Sequence, residues 1–326
     1  MSTIEFCGQA YAAREGETVL DCLSRHGREV PYSCKAGACQ SCIMQAIDSV
    51  PPPAAQKALR PAMQQQRYFL ACQWRPESDV AVRLPGGEMD VPARIASIID
   101  LNRNTKAIRL VPDERFECIP GQYLSLISPG GVVRSYSIAN RPGVDGFVEL
   151  HVRRVPDGRM SNWLHDEAKA SDPVLIRGPF GACCYPRSDD RSFPMLLAGT
   201  GTGLAPLVGV VADALDHGHS GPIVLVHGAL RAEDLYLVEE LVALERETGN
   251  LRYIRCLVEG EPATGVEIGD AREVALTLLT STADAGVYLC GAPDFVVPLK
   301  RSIFLAGVPL ARIHSDAFLP ASAEAA

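Results

Sequence analysis

Four cysteines near the N-terminus have the type and spacing of ligands to an inorganic cluster: Cys34, Cys39, Cys42 and Cys72. The first three follow the pattern C-x4-C-x2-C, and the fourth comes after 29 intervening residues. This is a ligand spacing of 2Fe–2S clusters, which thiolates hold. The loop from Ser33 to Cys42 consists mostly of small residues, and Gly37 can take a positive φ, so backbone N–H groups can approach the sulfurs. The spacing predicts an iron–sulfur site that moves single electrons.

Zinc is the alternative metal for these thiols. Structural zinc sites usually combine two short Cys or His clips, and the C-x4-C opening fits that arrangement poorly. The other seven of the eleven cysteines lack the spacing of a disulfide framework: Cys7, Cys22, Cys118, Cys183, Cys184, Cys256 and Cys290. Free thiols and an iron–sulfur cluster both persist in a reducing compartment. We therefore expect iron rather than zinc, and a cytoplasmic location.

The composition is that of an ordinary globular protein with more than one domain. The chain has 326 residues, of which 47% are apolar and 21% charged, and a domain usually takes about 100–200 residues. The net charge is −8, and the acidic excess lies in the last 136 residues, which hold nine basic and seventeen acidic side chains. The sequence has no basic cluster large enough to follow a phosphate backbone, so we expect no nucleic-acid partner.

Two stretches bear on membranes and secretion. The N-terminus has neither the basic nor the apolar region of a secretory signal. Residues 192–212 carry no charge over 21 positions, which is long enough for a membrane span. The glycine run at Gly199–Gly203 and two prolines in this stretch fit a strand, a glycine loop and a helix better. We expect no integral membrane segment.

The periodicity of apolar residues and the positions of glycine and proline divide the chain into three segments. The first contains a short strand at Thr3–Phe6, a helix at Glu17–His26 and the cysteine loop, and residues 85–92 are interpreted as a linker. From 93 to about 186, short β-rich runs separated by Pro-Gly turns predict a small antiparallel barrel or sandwich. From 193 onward, apolar strands alternate with helical stretches, including one at Asp234–Thr248. This order predicts a parallel sheet covered on both faces.

A glycine-rich turn follows the first apolar strand of the last segment. Its glycines are Gly199, Gly201 and Gly203, and Thr202 lies between the last two. Such a turn lets phosphate oxygens reach backbone N–H groups at the positive end of the next helix. The turn departs from the G-x-G-x-x-G fingerprint, because Leu204 or Pro206 takes the sixth place.

A second pair of motifs fits a flavin. In the string Arg134-Ser135-Tyr136-Ser137, the arginine can clamp a pyrophosphate, the tyrosine can pack against the ring system, and the last serine can hydrogen-bond near the flavin N5. The stretch 157–164 offers a second helix N-terminus with a hydroxyl. An exposed strand face is the alternative interpretation of the arginine motif.

Together and in this order, the motifs resemble two known families. Residues 1–84 resemble plant-type ferredoxins, down to Pro31–Gly37. Residues 91–320 are similar to the ferredoxin–NADP reductase superfamily, in which R-x-Y-S and G-x-x-S elements precede G-T-G-x-x-P, here Gly201–Pro206. The whole order resembles the reductase component of bacterial multicomponent monooxygenases and ring-hydroxylating dioxygenases.

This resemblance implies a multidomain α+β and α/β fold. We expect a β-grasp-like 2Fe–2S ferredoxin domain at residues 1–88, an antiparallel FAD-binding β-barrel at 91–188, and a parallel α/β NAD(P)-binding domain at 192–320.

The resemblance also implies roles for single residues. Arg134, Tyr136 and Ser137 would bind the flavin, with Gly158 and Ser161 at its pyrophosphate. The nicotinamide dinucleotide would be bound by the glycine turn and by a late C-G-x-P element, which together supply Gly199, Gly201, Thr202, Gly203, Cys290 and Gly291. The four clustered cysteines would hold the metal, and Ser137 and Cys290 would be catalytic.

Cys290 has an alternative role, and the resemblance also draws in two residues near the C-terminus. Cys290 would lie close to the nicotinamide, or else be a buried core thiol. Phe318 corresponds to a C-terminal aromatic residue that stacks on the flavin in the family. Asp316 could handle protons beside it, or could be an acid in an exposed turn.

The implied activity is electron transfer from NADH through FAD to the cluster and on to an oxygenase or hydroxylase component. A hydride carries two electrons and the cluster accepts one, and a flavin can mediate between them. We expect a monomer whose loop with Cys34, Cys39 and Cys42 faces the partner. A reductase serving a small molecule or a sugar-modifying dehydratase is the alternative. An iron–sulfur module with a vestigial reductase half is disfavoured by the intact motifs.

The choice between NADH and NADPH depends on the end of the second strand of the last domain. It has no acidic residue to hold a ribose 2′-hydroxyl, and Arg231 could accept a 2′-phosphate. However, no second basic residue comes before Arg246, and Glu233 and Asp234 would repel a phosphate. We therefore expect NADH, with NADPH as the alternative. FAD rather than FMN follows from the class of reductase alone.

Overall fold

The computed structural model describes residues 2–279 and 284–319. Met1 and Pro320, the ends of the first and third predicted domains, lie outside the described residues. One β-sheet lies within each of the three predicted domains. The domain boundaries themselves stay predictions.

The first sheet is mixed and has the β-grasp-like form that the sequence predicts. Its five strands are β1 Thr3–Phe6, β2 Gln9–Ala12, β3 Ile43–Ala46, β4 Tyr68–Leu70 and β5 Val80–Arg83, in the order β2-β1-β5-β3-β4. The central β1 and β5 are parallel, and the other pairs are antiparallel. The helices of this part are α1 Val19–Arg25, α2 Pro53–Gln56 and α3 Pro61–Gln65.

Helix α1 begins two residues later than predicted because Thr18 caps it. The hydroxyl of Thr18 accepts a hydrogen bond of 3.1 Å from the backbone N–H of Asp21, as N-cap residues do. The helix places Leu20 and Leu23 in a core shared with Phe69 and Trp74. This core holds the cysteine loop from one side.

The second sheet is antiparallel and closes into the predicted barrel. Its strands are β6 Asp90–Asn102, β7 Thr105–Pro112, β8 Tyr123–Ile127, β9 Val133–Ser137, β10 Val148–Arg153 and β11 Pro173–Phe180, in the order β10-β7-β6-β11-β8-β9. A bridge between Ile138 and Leu150 joins the two ends of the sheet. The helices here are α4 Pro142–Asp145 and α5 Arg159–Asp166.

The predicted linker at 85–92 is wrong at its C-terminal end. Strand β6 begins at Asp90, because the carboxylate of Asp90 accepts hydrogen bonds of 2.6 and 2.9 Å from the guanidinium of Arg177 on β11. Both side chains are largely buried. The ion pair therefore ties the start of the barrel to its own sheet.

The third sheet is parallel throughout, as predicted. Its strands are β12 Met195–Thr200, β13 Ile223–Ala229, β14 Leu251–Leu257, β15 Val266–Ile268, β16 Gly286–Gly291 and β17 Ile313–Ala317, in the order β15-β14-β13-β12-β16-β17. The helices are α6 Leu204–Asp216, α7 Val238–Thr248, α8 Ala271–Thr277 and α9 Pro293–Leu305. Apolar cores cover both faces of the sheet.

Several details of this domain differ from the prediction, including the short strand β15, which was not predicted. Helix α7 begins at Val238 rather than at Asp234, because Leu237 has a left-handed φ of 55° that a helix cannot include. Strand β17 was not predicted, since its sequence Ile-His-Ser-Asp-Ala lacks an apolar run. This short strand carries Asp316, which is therefore not in an exposed turn.

Residues 192–212 form the predicted strand, glycine loop and helix. Strand β12 ends at Thr200, a 3₁₀ turn covers Gly201–Gly203, and α6 follows directly. Within 2–279 and 284–319, no helix is long and apolar enough to cross a membrane.

Candidate active site

The four clustered cysteines are arranged as two pairs. The sulfurs of Cys42 and Cys72 are 3.4 Å apart, and the thiol of Cys39 hydrogen-bonds to that of Cys34. Among the described residues, no three Cys, His, Asp or Glu side chains are placed to hold a single metal ion. Two thiol pairs fit a cluster with two irons, one pair for each, better than they fit the tetrahedron of one zinc ion.

Hydrogen bonds stabilise negative charge on two of the four sulfurs, those of Cys34 and Cys72, whereas the hydrogen bonds within the two thiol pairs raise the pKa of Cys39 and of Cys42. Cys34 accepts hydrogen bonds from the backbone N–H groups of Ala36, at 3.3 Å, and Cys39, at 3.5 Å. The Cys39 thiol and these N–H groups lower the pKa of Cys34 to about 5. The Cys42 thiol and the Gln73 amide, 3.4 Å away, lower the pKa of Cys72 to about 7. Such donors favour the thiolate form that binds iron.

The loop packs against the barrel rather than facing outward on this side. The hydroxyl of Ser135 on β9 donates a 2.9 Å hydrogen bond to the carbonyl oxygen of Cys39. The hydroxyl of Tyr123 on β8 donates one of 2.9 Å to the carbonyl oxygen of Ala38 and accepts one of 3.2 Å from the amide of Gln40. Barrel strands therefore contact Ala38–Gln40 on this side, and the expectation that the loop with Cys34, Cys39 and Cys42 faces a partner stays a prediction.

One cavity of about 1210 Å³ joins the three domains. Cys39 lines it at one end, and Ser135, Tyr136 and Ser137 of β9 line its wall. Arg134 also faces the cavity, and burial lowers its pKa. Burial raises the pKa of Tyr136, so its hydroxyl stays protonated near neutral pH. The R-x-Y-S string is thus the wall of a cavity and not an exposed strand face.

Gly158 and Ser161 line the cavity where α5 begins. The hydroxyl of Ser161 accepts a hydrogen bond of 3.1 Å from the N–H of Val155 and donates one of 3.2 Å to the carbonyl oxygen of Gly158. A Cβ on Gly158 would lie 2.5 Å from that hydroxyl oxygen. The two residues therefore fix the turn that presents the N-terminus of α5 to the cavity.

The glycine turn lies where the strand order of the third sheet reverses, between β12 and β16. Ligands of open α/β sheets bind in the crevice at such a point. Gly201 has a φ of 53°, and a Cβ placed on it would have no atom within 4 Å. It lines the cavity together with Thr202. Here an open backbone can approach a phosphate.

The other three predicted glycines serve close packing. A Cβ on Gly203 would lie 2.2 Å from the carbonyl oxygen of Cys290, and one on Gly291 would lie 2.6 Å from the hydroxyl oxygen of Thr200. A Cβ on Gly199 would lie 2.9 Å from the backbone of Gly203. These contacts bring the ends of β12 and β16 together around the crevice.

Ser137 and Asp316 meet across two domains. The hydroxyl of Ser137 donates a 3.2 Å hydrogen bond to Oδ2 of Asp316, and both residues line the cavity. Burial raises the pKa of Asp316, although the hydroxyl of Ser137 opposes the shift. Phe318 lies two residues further along, also lines the cavity, and donates its N–H to the carbonyl oxygen of Gly291 at 2.8 Å.

Cys290 does not line the cavity, although it pairs with Asp316 across β16 and β17. Its thiol is fully buried, 3.6 Å from the sulfur of Cys183, and belongs to the core beneath α6. Burial raises its pKa. The alternative of a buried core thiol therefore describes its position, and its catalytic role stays a prediction.

Several residues at this site carry no signal in the sequence. Tyr123 and Cys183 belong to no recognisable motif, and Gln40 and Ser135 are variable positions of the C-x2-C and R-x-Y-S strings. Their partners lie far away along the chain: 96 residues separate Ser135 from Cys39. The alternation of side chains along β9 was the one available signal for Ser135, since alternate residues of a strand share a face.

Comparison with known proteins identifies the three parts. Residues 4–77 match the model of the 2Fe-2S iron-sulfur cluster binding domain. Residues 92–185 match that of the oxidoreductase FAD-binding domain, and residues 197–299 match that of the oxidoreductase NAD-binding domain.

Curated relatives span nearly the whole chain. The ferredoxin–NAD(P)(+) reductase component of the naphthalene 1,2-dioxygenase/salicylate 5-hydroxylase systems of Ralstonia sp. is 32% identical over 315 residues, which cover 94% of this chain and 95% of that protein. The reductase subunit of an aromatic O-demethylase from Amycolatopsis sp. is 33% identical over 327 residues, with coverages of 97% and 98%.

Solved structures agree with these relatives. The crystal structure of Amycolatopsis cytochrome P450 reductase GcoB is similar with a TM-score of 0.71 and 32% identity, covering 99% of this chain and 100% of that one. A ferredoxin reductase of carbazole 1,9a-dioxygenase shares the fold, with a TM-score of 0.67 and 24% identity, covering 97% of this chain and 98% of that one.

The thiol pairs, the cavity wall on β9 and the crevice at the strand reversal fit a 2Fe–2S cluster, FAD and a nicotinamide dinucleotide. The chain belongs to the family of NAD(P)H-dependent iron–sulfur flavoprotein reductases that serve as reductase components of bacterial oxygenase systems.

Proposed function

We propose that this reductase takes a hydride from NADH at the crevice of the third domain and delivers single electrons through its cysteine loop to an oxygenase component. FAD, when bound, supplies the chemistry that connects a two-electron donor to a one-electron acceptor. The observation that carries the proposal is the hydrogen bond from Ser135 to Cys39, since it joins the flavin strand to a cluster ligand within one cavity.

The flavin site is proposed along β9 and α5. Arg134 supplies positive charge to the pyrophosphate, Tyr136 packs against the ring system, and Ser137 offers its hydroxyl near N5. Gly158 and Ser161 present the N–H groups of the α5 N-terminus to the same pyrophosphate. The cavity position of all five residues supports this assignment.

Ser137 and Asp316 are proposed to organise the place of hydride transfer. Asp316 holds the hydroxyl of Ser137 through Oδ2, which fixes the direction of that hydroxyl. Phe318 is proposed to cover the flavin on this side, since its backbone is anchored to Gly291. These residues come from β9 and β17, so the site is complete only when the barrel and the third domain are in contact.

NADH is proposed as the donor in preference to NADPH. The acidic residues after β13 stand close to the cavity, and Asp234 lines it. Arg103 pairs with Glu233 at 2.8 Å and with Asp234 at 2.9 Å. The charge of Arg103 is therefore already neutralised by these two carboxylates. A 2′-phosphate at this place would be repelled by the carboxylates before it could pair with Arg103.

The acceptor is proposed to be a terminal oxygenase, as in the systems of the relatives, and to approach the loop from the side of Lys35–Gly37. The barrel hydrogen-bonds to the backbone of Ala38 and Cys39, and both residues line the cavity between the domains. The exposed Ala36 and the half-buried Lys35 and Gly37 do not belong to the cavity lining. A small molecule or a sugar-modifying dehydratase is the alternative acceptor. The monomeric state and the cytoplasmic location stay predictions, and the eleven free thiols are compatible with that location.

Replacing Cys39 by serine tests the proposed electron path. In Cys39→Ser, NADH should still bleach the flavin absorbance, whereas reduction of cytochrome c, a one-electron acceptor, should fall to background. Iron content and the electron paramagnetic resonance signal report the state of the cluster. Cys7→Ser is the matched control, because Cys7 is an exposed thiol of the same domain. Unchanged transfer to cytochrome c in Cys39→Ser would contradict the proposal.

A further inference from the structure

The far end of the cavity lies beyond the carboxyl ends of β13 and β14. Leu230 follows β13, Val258 follows β14, and both side chains line the cavity. In dinucleotide-binding sheets, the residues at the end of the second strand meet the ribose that carries the 2′ substituent. The next residues along the two segments, Arg231 and Glu259, therefore stand beside the place where NADH and NADPH differ.

Arg231 and Glu259 form an ion pair at this place. Nε of Arg231 donates to Oε2 of Glu259 at 2.8 Å, and the two side chains are 53% and 54% exposed. The backbone sets this pairing, because the N–H of Glu259 donates to the carbonyl oxygen of Leu230 at 2.8 Å and that of Val258 donates to Ala229 at 3.1 Å. The sheet edge thus holds the carboxylate next to the guanidinium.

Other arginines near this end of the cavity are paired as well. Arg272 pairs with Asp270, its neighbour at the start of α8, and Arg103 pairs with Glu233 and Asp234. A phosphate dianion that reached Arg231 would have to displace Glu259 and would be repelled by it. An uncharged ribose hydroxyl meets no such opposition, and discrimination by an unfavourable charge is a common route to specificity.

We propose that Glu259 is a specificity-determining residue that disfavours NADPH by occupying Arg231, which would otherwise bind the 2′-phosphate. This inference rests on the proposed preference for NADH. It assigns that preference to an ion pair between two strand ends and to a residue that no nucleotide-binding motif includes.

The test compares Glu259→Gln with wild type in two measurements. The ratio of kcat/KM for NADPH to kcat/KM for NADH should rise about fivefold, which is the modest effect expected of an exposed charge interaction. By calorimetry, adenosine 2′,5′-bisphosphate should bind more tightly to the variant than to wild type, while AMP should not. The rise in the kcat/KM ratio and the tighter binding of the bisphosphate should both be smaller at high ionic strength.

Two further variants make the result specific. Glu261→Gln removes an exposed carboxylate two residues away and should leave the ratio at the wild-type value. The double variant Glu259→Gln with Arg231→Gln should not show the rise in the kcat/KM ratio, because it lacks the guanidinium that would bind the 2′-phosphate. Retained flavin content shows that each variant is folded.

The outcomes separate the inference from the proposed function. A wild-type enzyme that uses NADPH as well as NADH overturns the proposed donor preference. A wild-type enzyme that prefers NADH, together with an unchanged ratio and unchanged bisphosphate binding in Glu259→Gln, overturns the role of Glu259 alone. A gain that persists in the double variant overturns the role of Arg231.

Discussion

The hydroxyl of Ser135 and the carbonyl oxygen of Cys39 are joined by a 2.9 Å hydrogen bond. Ser135 stands between Arg134 and Tyr136 on the strand that walls the cavity, and Cys39 is one of the four clustered cysteines. The bond therefore connects the proposed flavin site with the cluster loop directly. Tyr123 makes a second connection of the same kind to Ala38.

Removing these connections should slow electron transfer from flavin to cluster without affecting the earlier step. In Ser135→Ala and Tyr123→Phe, a carbonyl of the loop loses its donor, which costs about 1 kcal/mol and loosens the loop. Stopped-flow absorbance should show slower cluster reduction at an unchanged rate of flavin bleaching.

Ser125→Ala is the matched control for that experiment. Ser125 pairs with Ser135 across β8 and β9, and its buried hydroxyl has no hydrogen-bond partner among the described residues. The control should reduce the cluster at the wild-type rate. If it slows cluster reduction as much as Ser135→Ala does, the loop contact is not the cause.

Ser137→Ala should affect the opposite step. The variant removes the hydroxyl that Asp316 holds in the cavity, and loss of one hydrogen bond of about 1 kcal/mol should slow flavin bleaching by NADH about fivefold to tenfold. Single-turnover mixing with NADH measures this rate. Ser135→Ala, two residues away on the same strand, should keep it. Equal slowing in both variants would count against a separate role for Ser137.

Asp316→Asn should change the pH dependence of stability. Because burial raises the pKa of Asp316, the folded state binds more protons than the unfolded state between the ordinary pKa and the raised one. The free energy of unfolding therefore falls as pH rises through this window. Asparagine does not titrate, so the free energy of unfolding of Asp316→Asn should not fall in this way.

The measurement is the melting temperature followed by flavin fluorescence. Asp316→Asn should melt above wild type at neutral pH, and the difference should vanish toward about pH 4, near the ordinary aspartate pKa. Asp100→Asn, whose side chain is 78% exposed, should show no such trend. A variant that melts below wild type at neutral pH would show that the carboxylate is stabilising there.

Two glycines of the nucleotide turn should respond differently to alanine. In Gly203→Ala the new Cβ would meet the carbonyl oxygen of Cys290 at 2.2 Å, and such overpacking costs about 1–3 kcal/mol. Gly201→Ala has open space around its Cβ and costs about 1–2 kcal/mol through its left-handed φ. We expect the larger fall in melting temperature for Gly203→Ala and the larger rise in KM for NADH for Gly201→Ala. The reverse order would contradict these roles.

The motifs that the sequence revealed are all short. The first three cysteines, the R-x-Y-S string and the glycine turn each place their chemistry within about ten residues, where chain geometry alone brings the groups together. Strand and helix order could be predicted for the same reason, since periodicity is local. Strand β17 could not be predicted because Ile313–Ala317 gains its stability from pairing with β16 and not from its own pattern.

The contacts between residues that are distant along the chain could not be predicted. Ser135 and Cys39 are 96 residues apart, Ser137 and Asp316 are 179 apart, and Arg231 and Glu259 are 28 apart. Polar side chains such as these have no sequence signal for their partners, because packing of separate apolar cores decides which surfaces meet. The same packing placed the Cys290 thiol against Cys183 and away from the cavity.

The sequence by itself indicated an iron–sulfur cluster, a flavin and a nicotinamide dinucleotide and the order of the three domains, because ligand spacing and glycine turns depend on neighbouring residues. Only the tertiary structure decided that the cysteine loop is hydrogen-bonded to the flavin strand, that Asp316 accepts a hydrogen bond from Ser137, and that Glu259 forms an ion pair with Arg231. These relationships arise when distant segments are brought within hydrogen-bond distance by the burial of apolar surface, which is a property of the whole fold.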